Sequence, residues 1–165
     1  MGDEQPIHEF TAGFDGPMAV VTAQARGERS GCLVGFWTQC SIDPVRFLVC
    51  LSKANHTFRV AAEAELLGLH VLERGDPSQL ALARLFGEET GDETDKFARC
   101  AWTEESGGVP LLTDVHRRMA GRVLDRVDLG DHVGHLLEPV RVEADGRGEP
   151  LGLTGVLHLN AGHPA

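Results

Sequence analysis

Short apolar, β-branched runs separated by polar turns dominate the first third of the chain. Met18–Ala23 is such a run, and the turn-rich segment Arg26–Gly31 leads from it into a second run, Cys32–Thr38. Segments of this kind predict strands connected by tight turns. Pro44 lacks an amide hydrogen and restricts the residue before it, so we predict a break there. The next strand, over Arg46–Ser52, is expected to be buried on both faces.

Two segments have helical spacing. Asn55 is placed to cap a helix in which apolar residues recur at Phe58, Ala61, Ala62 and Leu66. Asp76-Pro77-Ser78-Gln79 combines a cap, a proline at the first helical position and a glutamine at the capping-box position. This pattern predicts a helix over Pro77–Phe86, with Gly87 suited to close its C-terminus.

The remaining apolar segments again resemble strands. They are Leu67–Leu72, Gly121–Val127, His132–Glu143 and Leu151–Leu159, and the turn Asp128–Asp131 joins the middle pair. A chain of 165 residues is the usual size of one domain. Many short strands with only two helices predict a mainly β fold, a closed or nearly closed antiparallel barrel rather than a doubly wound parallel sheet.

Composition narrows the classes of partner. The formal net charge of −10 opposes binding to nucleic acid and to anionic membranes, and no strong basic patch offsets it. We find neither a leader-like N-terminus nor an apolar segment long enough to span a bilayer. The four cysteines contain no CxxC pair, and we interpret them as reduced and mostly packed. We therefore expect a cytoplasmic protein.

Two polar segments are candidates for ligand contacts. Lys53-Ala54-Asn55-His56-Thr57 joins a strand to a helix, where free amides, the Thr57 hydroxyl and the Lys53 ammonium are suited to hold a phosphate. An ordinary helix cap explains the same residues. Thr38-Gln39-Cys40-Ser41 ends an apolar strand and is suited to contact the edge of a heterocycle, although a plain strand-to-turn transition is the alternative.

Taken together and in order, these segments resemble the flavin reductase-like, FMN-binding split-barrel family across about residues 14–145. The stretches that carry the resemblance are Pro17–Ala23, Thr38–Pro44, Phe47–Leu51, Asn55–Thr57, Asp95–Ala98 with Trp102, and Gly130–His132. The resemblance implies a split β-barrel of Greek-key type. It makes residues 1–165 a single domain, with residues 1–13 as an N-terminal extension.

The resemblance also implies roles for particular residues. The polar run before the Asp-Pro pair contacts the isoalloxazine ring in that family, which implies Thr38, Gln39, Cys40 and Ser41 here. The step into the helix holds the flavin phosphate, which implies Lys53, Asn55 and Thr57. Lys96 and Phe97 are implied near the flavin, and His132 on the nicotinamide side.

Family resemblance further implies a homodimeric oxidoreductase. Such an enzyme reduces FMN or FAD with NADH or NADPH and supplies reduced flavin to a partner monooxygenase. One departure matters: many members carry a C-terminal His-Arg-Gly-x-Tyr-like stretch, whereas residues 152–160 read GLTGVLHLN and the chain has no Tyr. A split-barrel module that binds flavin without nicotinamide turnover therefore remains the alternative. A domain that serves only structure or interaction is a third reading.

We predict neither a metal site nor catalytic side chains. His132, His135 and Glu138 contain metal-ligating groups, but strand positions three apart point to opposite faces. The residues near Ser41 and Asp43 offer no arrangement of nucleophile, base and oxyanion donors. The flavin itself is expected to carry the redox chemistry.

Overall fold

The computed structural model describes residues 4–88, 95–105, 107–145 and 148–160. These residues form nine strands, three α-helices and two 3-10 turns. In chain order they are α1 (Glu4–Thr11), β1 (Ala19–Ala25), β2 (Glu28–Val34), β3 (Trp37–Ile42), β4 (Val45–Ser52), α2 (His56–Ala61), β5 (Leu66–Val71), α3 (Pro77–Glu88), a 3-10 turn (Lys96–Arg99), β6 (Trp102–Glu104), β7 (Pro110–Leu112), β8 (Arg117–Asp128), β9 (His132–Ala144) and a second 3-10 turn (Leu153–Gly155).

Seven of the strands form one antiparallel sheet in the order β2-β1-β5-β8-β9-β4-β3. β1 lies between β2 and β5, with Val21 opposite Cys32 on one side and Leu69 on the other. The long β8–β9 hairpin carries the sheet onward to β4, where Val49 faces His135. The predicted mainly β fold is therefore confirmed.

Two apolar clusters pack on the two faces of β1. Because successive strand residues point to opposite faces, Val21 enters the first cluster and Val20 the second. The first cluster also contains Cys32 of β2 and Val49 of β4, which are far apart in the strand order. The sheet therefore curls around this cluster as a barrel, while α3 covers the second cluster with Phe86.

The barrel is split between β2 and β3, which are consecutive in the chain and lie at the two edges of the sheet. The single strand predicted over Cys32–Thr38 is wrong, because β2 ends at Val34 and β3 begins at Trp37. Gly35 and Phe36 link the two edges, and the Phe36 carbonyl accepts a hydrogen bond from β4 at 2.9 Å. We call the opening beside this link the seam.

The strand predicted over Leu151–Leu159 is also wrong. The Leu151 amide donates to the Leu72 carbonyl at 2.8 Å, and the Leu151 carbonyl accepts from the Met18 amide at 2.7 Å. After this contact the chain makes a 3-10 turn. Leu151 and Val156 are both buried in the second cluster. Residues five positions apart would point to opposite faces of a strand, yet Leu151 and Val156 are buried in the same cluster. The backbone conformation of this segment therefore follows from its tertiary contacts.

Both predicted helices are present with shifted ends. α3 extends two residues beyond the predicted Pro77–Phe86, so Gly87 lies inside it. α2 is capped by Asn55 as predicted, but it ends at Ala61 and does not reach Leu66, because Leu66 begins β5.

α1 lies at the surface and buries none of its residues. The extension predicted over residues 1–13 stays a prediction, and residues 1–3 fall outside the described part of the chain. Within the described ranges, no helix combines the length and apolar content that crossing a bilayer requires.

Candidate functional site

A cleft of about 570 Å³ opens at the seam. The side chains of one wall are apolar and come from distant parts of the chain: Met18, Val34, Phe36, Leu51 and Leu153. The other end is polar, with Ser52, Asn55, Asp131 and His132. Along β4, Val49 and Leu51 are buried, whereas Cys50 and Ser52 on the opposite face are only partly buried, so the prediction that this strand is buried on both faces is wrong.

Backbone hydrogen bonds between β4 and β9 position the polar end of the cleft. Ser52 is the last residue of β4 and pairs with His132, the first residue of β9. The Lys53 amide then donates to the Asp131 carbonyl at 2.9 Å. The end of β4 and the loop before β9 are therefore held side by side at the mouth of the cleft.

His132 is held in the cleft by two neighbours. Its Nδ1 lies 2.7 Å from Oδ1 of Asp131, and its ring centroid lies 5.2 Å from that of Phe36. The hydrogen bond from His132 lowers the pKa of the Asp131 carboxyl, so an ionised carboxylate accepts from Nδ1–H. Nε2 is then the ring nitrogen suited to meet a ligand.

Lys53 has a partner of its own at the surface. Its Nζ lies 2.9 Å from Oδ2 of Asp128, and this hydrogen bond lowers the pKa of the Asp128 carboxyl. Both side chains are exposed enough for solvent to screen the pair. A phosphate near Lys53 would therefore compete with Asp128 for the ammonium.

Thr57 is directed into the protein. Its residue exposure is 1%, and its hydroxyl lies 2.8 Å from the Ser30 hydroxyl. Its amide donates to Oδ1 of Asn55 at 2.9 Å. Both polar groups that the sequence assigned to a phosphate thus have partners within the chain. A phosphate contact through the hydroxyl would require it to leave Ser30.

Thr38, Gln39, Cys40 and Ser41 lie along β3, outside the residues that line the cleft. Thr38 and Gln39 pair with β4, and the register shifts between Gln39 and Ser41. Most of this run is exposed. The structure therefore places it on the outer edge of the sheet, on the strand that leaves the cleft after Phe36.

Phe97 lies in the second cluster and Lys96 is buried directly before it, and neither residue lines the cleft. Lys96 is buried, and its Nζ donates to the carbonyls of Gly31 and Phe86, both at 3.2 Å. The ring of Phe97 packs edge-on against Phe86. Gly31 directly precedes the cleft residue Cys32, so the hydrogen bond from Lys96 supports the part of β2 that lines the cleft.

Two cysteines contribute to the cleft as apolar groups. Burial raises the pKa of Cys32 to about 11 and also raises the pKa of Cys50. Both thiols are therefore protonated at neutral pH and are poor nucleophiles. Cys40 is exposed on β3, and all four cysteines, each in the described part of the chain, are free.

A second cavity, of about 510 Å³, lies after the end of α2. Its charged lining residues are Glu63, Glu65, Arg122 and Arg126, which balance acid against base. None of the predicted site residues borders it, and its lining offers no broad apolar wall.

The seam cleft suits a flat heteroaromatic cofactor with a phosphate tail. The apolar wall can pack against a ring, and the polar end offers hydrogen-bonding groups to a tail. Sequence reasoning missed this wall. Gly35 inside an apolar run was the available signal, since such a glycine often marks an irregular strand. Leu153 gave no signal, because its place in the wall depends on the C-terminal segment folding back.

Comparison with known proteins identifies the family of the chain. A family model described as "Flavin reductase like domain" matches residues 11–157. The chain is 28% identical over 129 residues to "FMN reductase (NADH) RutF" of Bradyrhizobium diazoefficiens, which covers 78% of this chain and 69% of that protein.

Two solved structures share the fold. One is the NADH:FAD oxidoreductase SgcE6 of Streptomyces globisporus C-1027, with a TM-score of 0.78 and 22% identity, covering 90% of this chain and 86% of that one. The other is a flavin reductase domain protein from Arthrobacter sp. FB24, with a TM-score of 0.79 and 19% identity, covering 97% and 94%. Other matched proteins are longer: the chain spans 40% of one Rhizobium meliloti relative.

Proposed function

Because this chain belongs to the family of flavin reductase-like domains, we propose that it binds FMN or FAD in the seam cleft and reduces the flavin with NADH or NADPH. The observation that carries the proposal is the cleft itself, with an apolar wall facing a polar end across the split in the barrel. When bound, the flavin would supply the hydride-accepting chemistry. The protein orients the two molecules and excludes water.

Residues at the two ends of the cleft have different proposed roles. Phe36 and Leu153 pack against the ring, and Lys53 and Asn55 hold the phosphate at the polar end. His132 contacts the nicotinamide through Nε2, because Asp131 occupies Nδ1.

The remaining predicted site residues do not line the cleft, and we propose less direct roles for them. Thr38, Gln39, Cys40 and Ser41 would reach the ring from the β3 edge, and Thr57, Lys96 and Phe97 would act by supporting the cleft walls. Their burial and position support these indirect roles for the last three.

Turnover is the direct test. Purified protein is mixed with each combination of FMN or FAD and NADH or NADPH, and oxidation of the nicotinamide is followed by absorbance. We expect oxidation that requires both flavin and protein. His132→Gln should lower turnover while leaving the flavin Kd near that of the parent, and His158→Gln, at an exposed site away from the cleft, serves as the matched control. Tight flavin binding without oxidation in any combination would reject the reductase.

That negative result would favour the second candidate, a flavin-binding module without nicotinamide turnover. The observation behind it is the C-terminal segment. Residues 152–160 lack the His-Arg-Gly-x-Tyr-like stretch. They contain the short 3-10 turn Leu153–Gly155, and of these nine residues only Leu153 lines the cleft. If flavin does not bind at all, both candidate functions are rejected, and a purely structural role becomes the favoured interpretation.

We further propose a homodimer. Ile42 on β3 is 82% exposed, and Val45, Leu129 and Val142 also leave large apolar surface in solvent. β3 is an edge strand, and exposed apolar edges are usually covered by a partner. Light scattering should give twice the chain mass, and Ile42→Asp should shift the protein toward monomer. A monomeric parent at working concentration contradicts this.

Two wider proposals rest on the same function. Reduced flavin would be released to a partner monooxygenase, which turnover assays with added oxygenase can test. We place the protein in the cytoplasm, where its four free thiols would stay reduced.

A further inference from the structure

Glu73, Asp76 and His116 form a cluster of ligand-type side chains outside the seam cleft. Each offers one ligand atom, and the three atoms lie within 4.8 Å of one another. Glu73 follows β5, Asp76 precedes α3 and His116 precedes β8. Three separate elements therefore bring these groups together.

Glu73 carries the observation that points to a ligand. Its exposure is only 8%, and its Oε1 is buried without a hydrogen-bond partner among the described residues. The other carboxylate oxygen, Oε2, faces the backbone of Gly148, where an added Cβ would lie 3.0 Å away. Burying a carboxylate oxygen without a donor is costly, and a bound cation would remove that cost.

The neighbouring groups are already oriented. Nε2 of Gln79 donates to Oδ2 of Asp76 at 3.3 Å, and Oε1 of the same Gln79 accepts from the Glu73 amide at 2.7 Å. One side chain thus positions two of the acidic residues. Nδ1 of His116 lies 3.4 Å from Oδ2 of Asp145. A carboxylate on one ring nitrogen is the arrangement that orients a metal-ligating histidine, so we expect Nε2 to face the ion.

We propose that Glu73, Asp76 and His116 bind one zinc ion, with water as a further ligand. One imidazole and two carboxylates match the ligand preferences of zinc, whereas magnesium prefers oxygen ligands alone. Tetrahedral bonds of about 2.0–2.2 Å separate ligand atoms by roughly 3.3 Å. Because the three ligand atoms lie within 4.8 Å of one another, they need to close by at most about 1.5 Å. His116 is exposed and its side chain can make that movement.

The ion would secure the C-terminal segment. Glu73 forms a β-bridge with Pro150, and the Arg74 amide donates to the Glu149 carbonyl at 2.8 Å. The same segment continues to Leu153 in the wall of the seam cleft. Zinc at this cluster therefore stabilises the fold near the cleft without touching the proposed flavin.

Calorimetric titration of the chelator-treated full chain with zinc chloride tests the proposal. We expect one site per chain and a rise in melting temperature with zinc, and no rise with equal magnesium. Cobalt in place of zinc should give the visible spectrum of a low-coordinate site. His116→Ala should weaken zinc binding at least a hundredfold and remove the thermal shift, while the matched control His158→Ala should bind zinc like the parent.

Two further variants provide independent tests of the same site. Glu73→Gln keeps the shape of the side chain but removes the charge, and it should also lose zinc binding. If that variant fails to fold, Asp145→Asn, which alters the contact that orients His116, should weaken binding roughly ten- to a hundredfold. The proposal is overturned if the parent binds no zinc, or if His116→Ala binds it as tightly as the parent. Loss of binding in Cys40→Ser but not in His116→Ala would overturn it too, by assigning zinc to the exposed thiol.

Discussion

His70 is a buried histidine that serves the fold. Its Nδ1 donates to the Val20 carbonyl at 2.9 Å, and its Nε2 accepts from the Leu112 amide at 2.9 Å. Both bonds require a neutral ring with the proton on Nδ1. Burial lowers the pKa of His70 from 6.5 to about 4, so the folded protein resists protonation of this ring.

This shift predicts a stability change with pH. Between pH 6.5 and about 4 the unfolded chain binds a proton at His70 that the folded chain does not, so the free energy of unfolding falls as the pH is lowered through this range. Above pH 6.5 the group has no effect. Urea unfolding should show a loss of about 2 kcal/mol between pH 7.5 and pH 5 from this residue. His70→Gln should lose that dependence and the exposed His158→Gln should keep it; equal slopes in all three proteins would contradict the assignment.

Substitutions at Thr57 and at Lys53 are expected to affect flavin affinity differently. Thr57→Val leaves the buried Ser30 hydroxyl without its partner and should cost about 1–3 kcal/mol of stability. The flavin Kd should change little, because the lost hydroxyl faces the interior. Lys53→Ala should weaken flavin binding roughly tenfold, and less at high salt, because the exposed ammonium acts through a screened field.

Asp128→Asn is the control for Lys53, because it removes the competing carboxylate and should not weaken binding. Measuring the flavin Kd and the urea unfolding of all three variants tests these expectations. If Thr57→Val weakens flavin as much as Lys53→Ala, the hydroxyl reaches the phosphate as the sequence predicted.

At the scale of elements, β2 and α3 approach each other closely at Gly31. A Cβ added there would lie 2.7 Å from Cε1 of Phe86 and 3.2 Å from the Val21 carbonyl oxygen. The Gly31 carbonyl also accepts the hydrogen bond from Lys96. A side chain at this position would therefore push α3 away from the cleft wall.

Gly31→Ala should lower the free energy of unfolding by about 1–3 kcal/mol, the usual cost of overpacking. Gly16→Ala is the matched control, since an added Cβ there meets nothing nearer than 3.9 Å and should change stability by less than about 0.5 kcal/mol. Thermal or urea unfolding measures both. Equal stability of the two variants would mean that α3 can shift without cost.

At the scale of the whole molecule, the C-terminal segment joins the ends of β1 and β5 through Leu151. Leu151→Ala should cost about 2–5 kcal/mol because it opens a cavity in the second cluster. Leu157→Ala makes the same chemical change at an exposed position and should cost less than about 0.5 kcal/mol.

Leu151→Ala should also bind flavin more weakly, because Leu153, two residues further along the chain, lies in the cleft wall. Urea unfolding and flavin titration of both variants provide the measurements. A Leu151→Ala protein as stable as the parent would show that the segment is not part of the core.

Local patterns predicted most of the individual elements. The cap and proline at Asp76 and Pro77 are physical signals confined to a few residues, and α3 begins where they indicate. The strand pattern of His132–Glu143 likewise corresponds to β9. Such predictions succeed because the backbone preference and the alternation of burial are both present within one short window.

Site residues were harder to predict. Asn55 and His132 line the cleft, and Lys53 lies beside it, because His132 begins β9 while Lys53 and Asn55 follow the end of β4, which pairs with it. The burial of Thr57 against Ser30 is set by two residues 27 positions apart. No local pattern carries that information.

The sequence by itself determined that this is a mainly β chain with two capped internal helices and an ordered set of family motifs, because these depend on neighbouring residues. Only the tertiary structure decided where the barrel is split. Gly35 and Phe36 interrupt an apolar run that locally favours one strand, and the break follows from β2 and β3 lying at opposite edges of the sheet. The same holds for Leu153 in the cleft and Glu73 beside His116. Their neighbours are brought together by strand order, which depends on long-range pairing rather than on local preference.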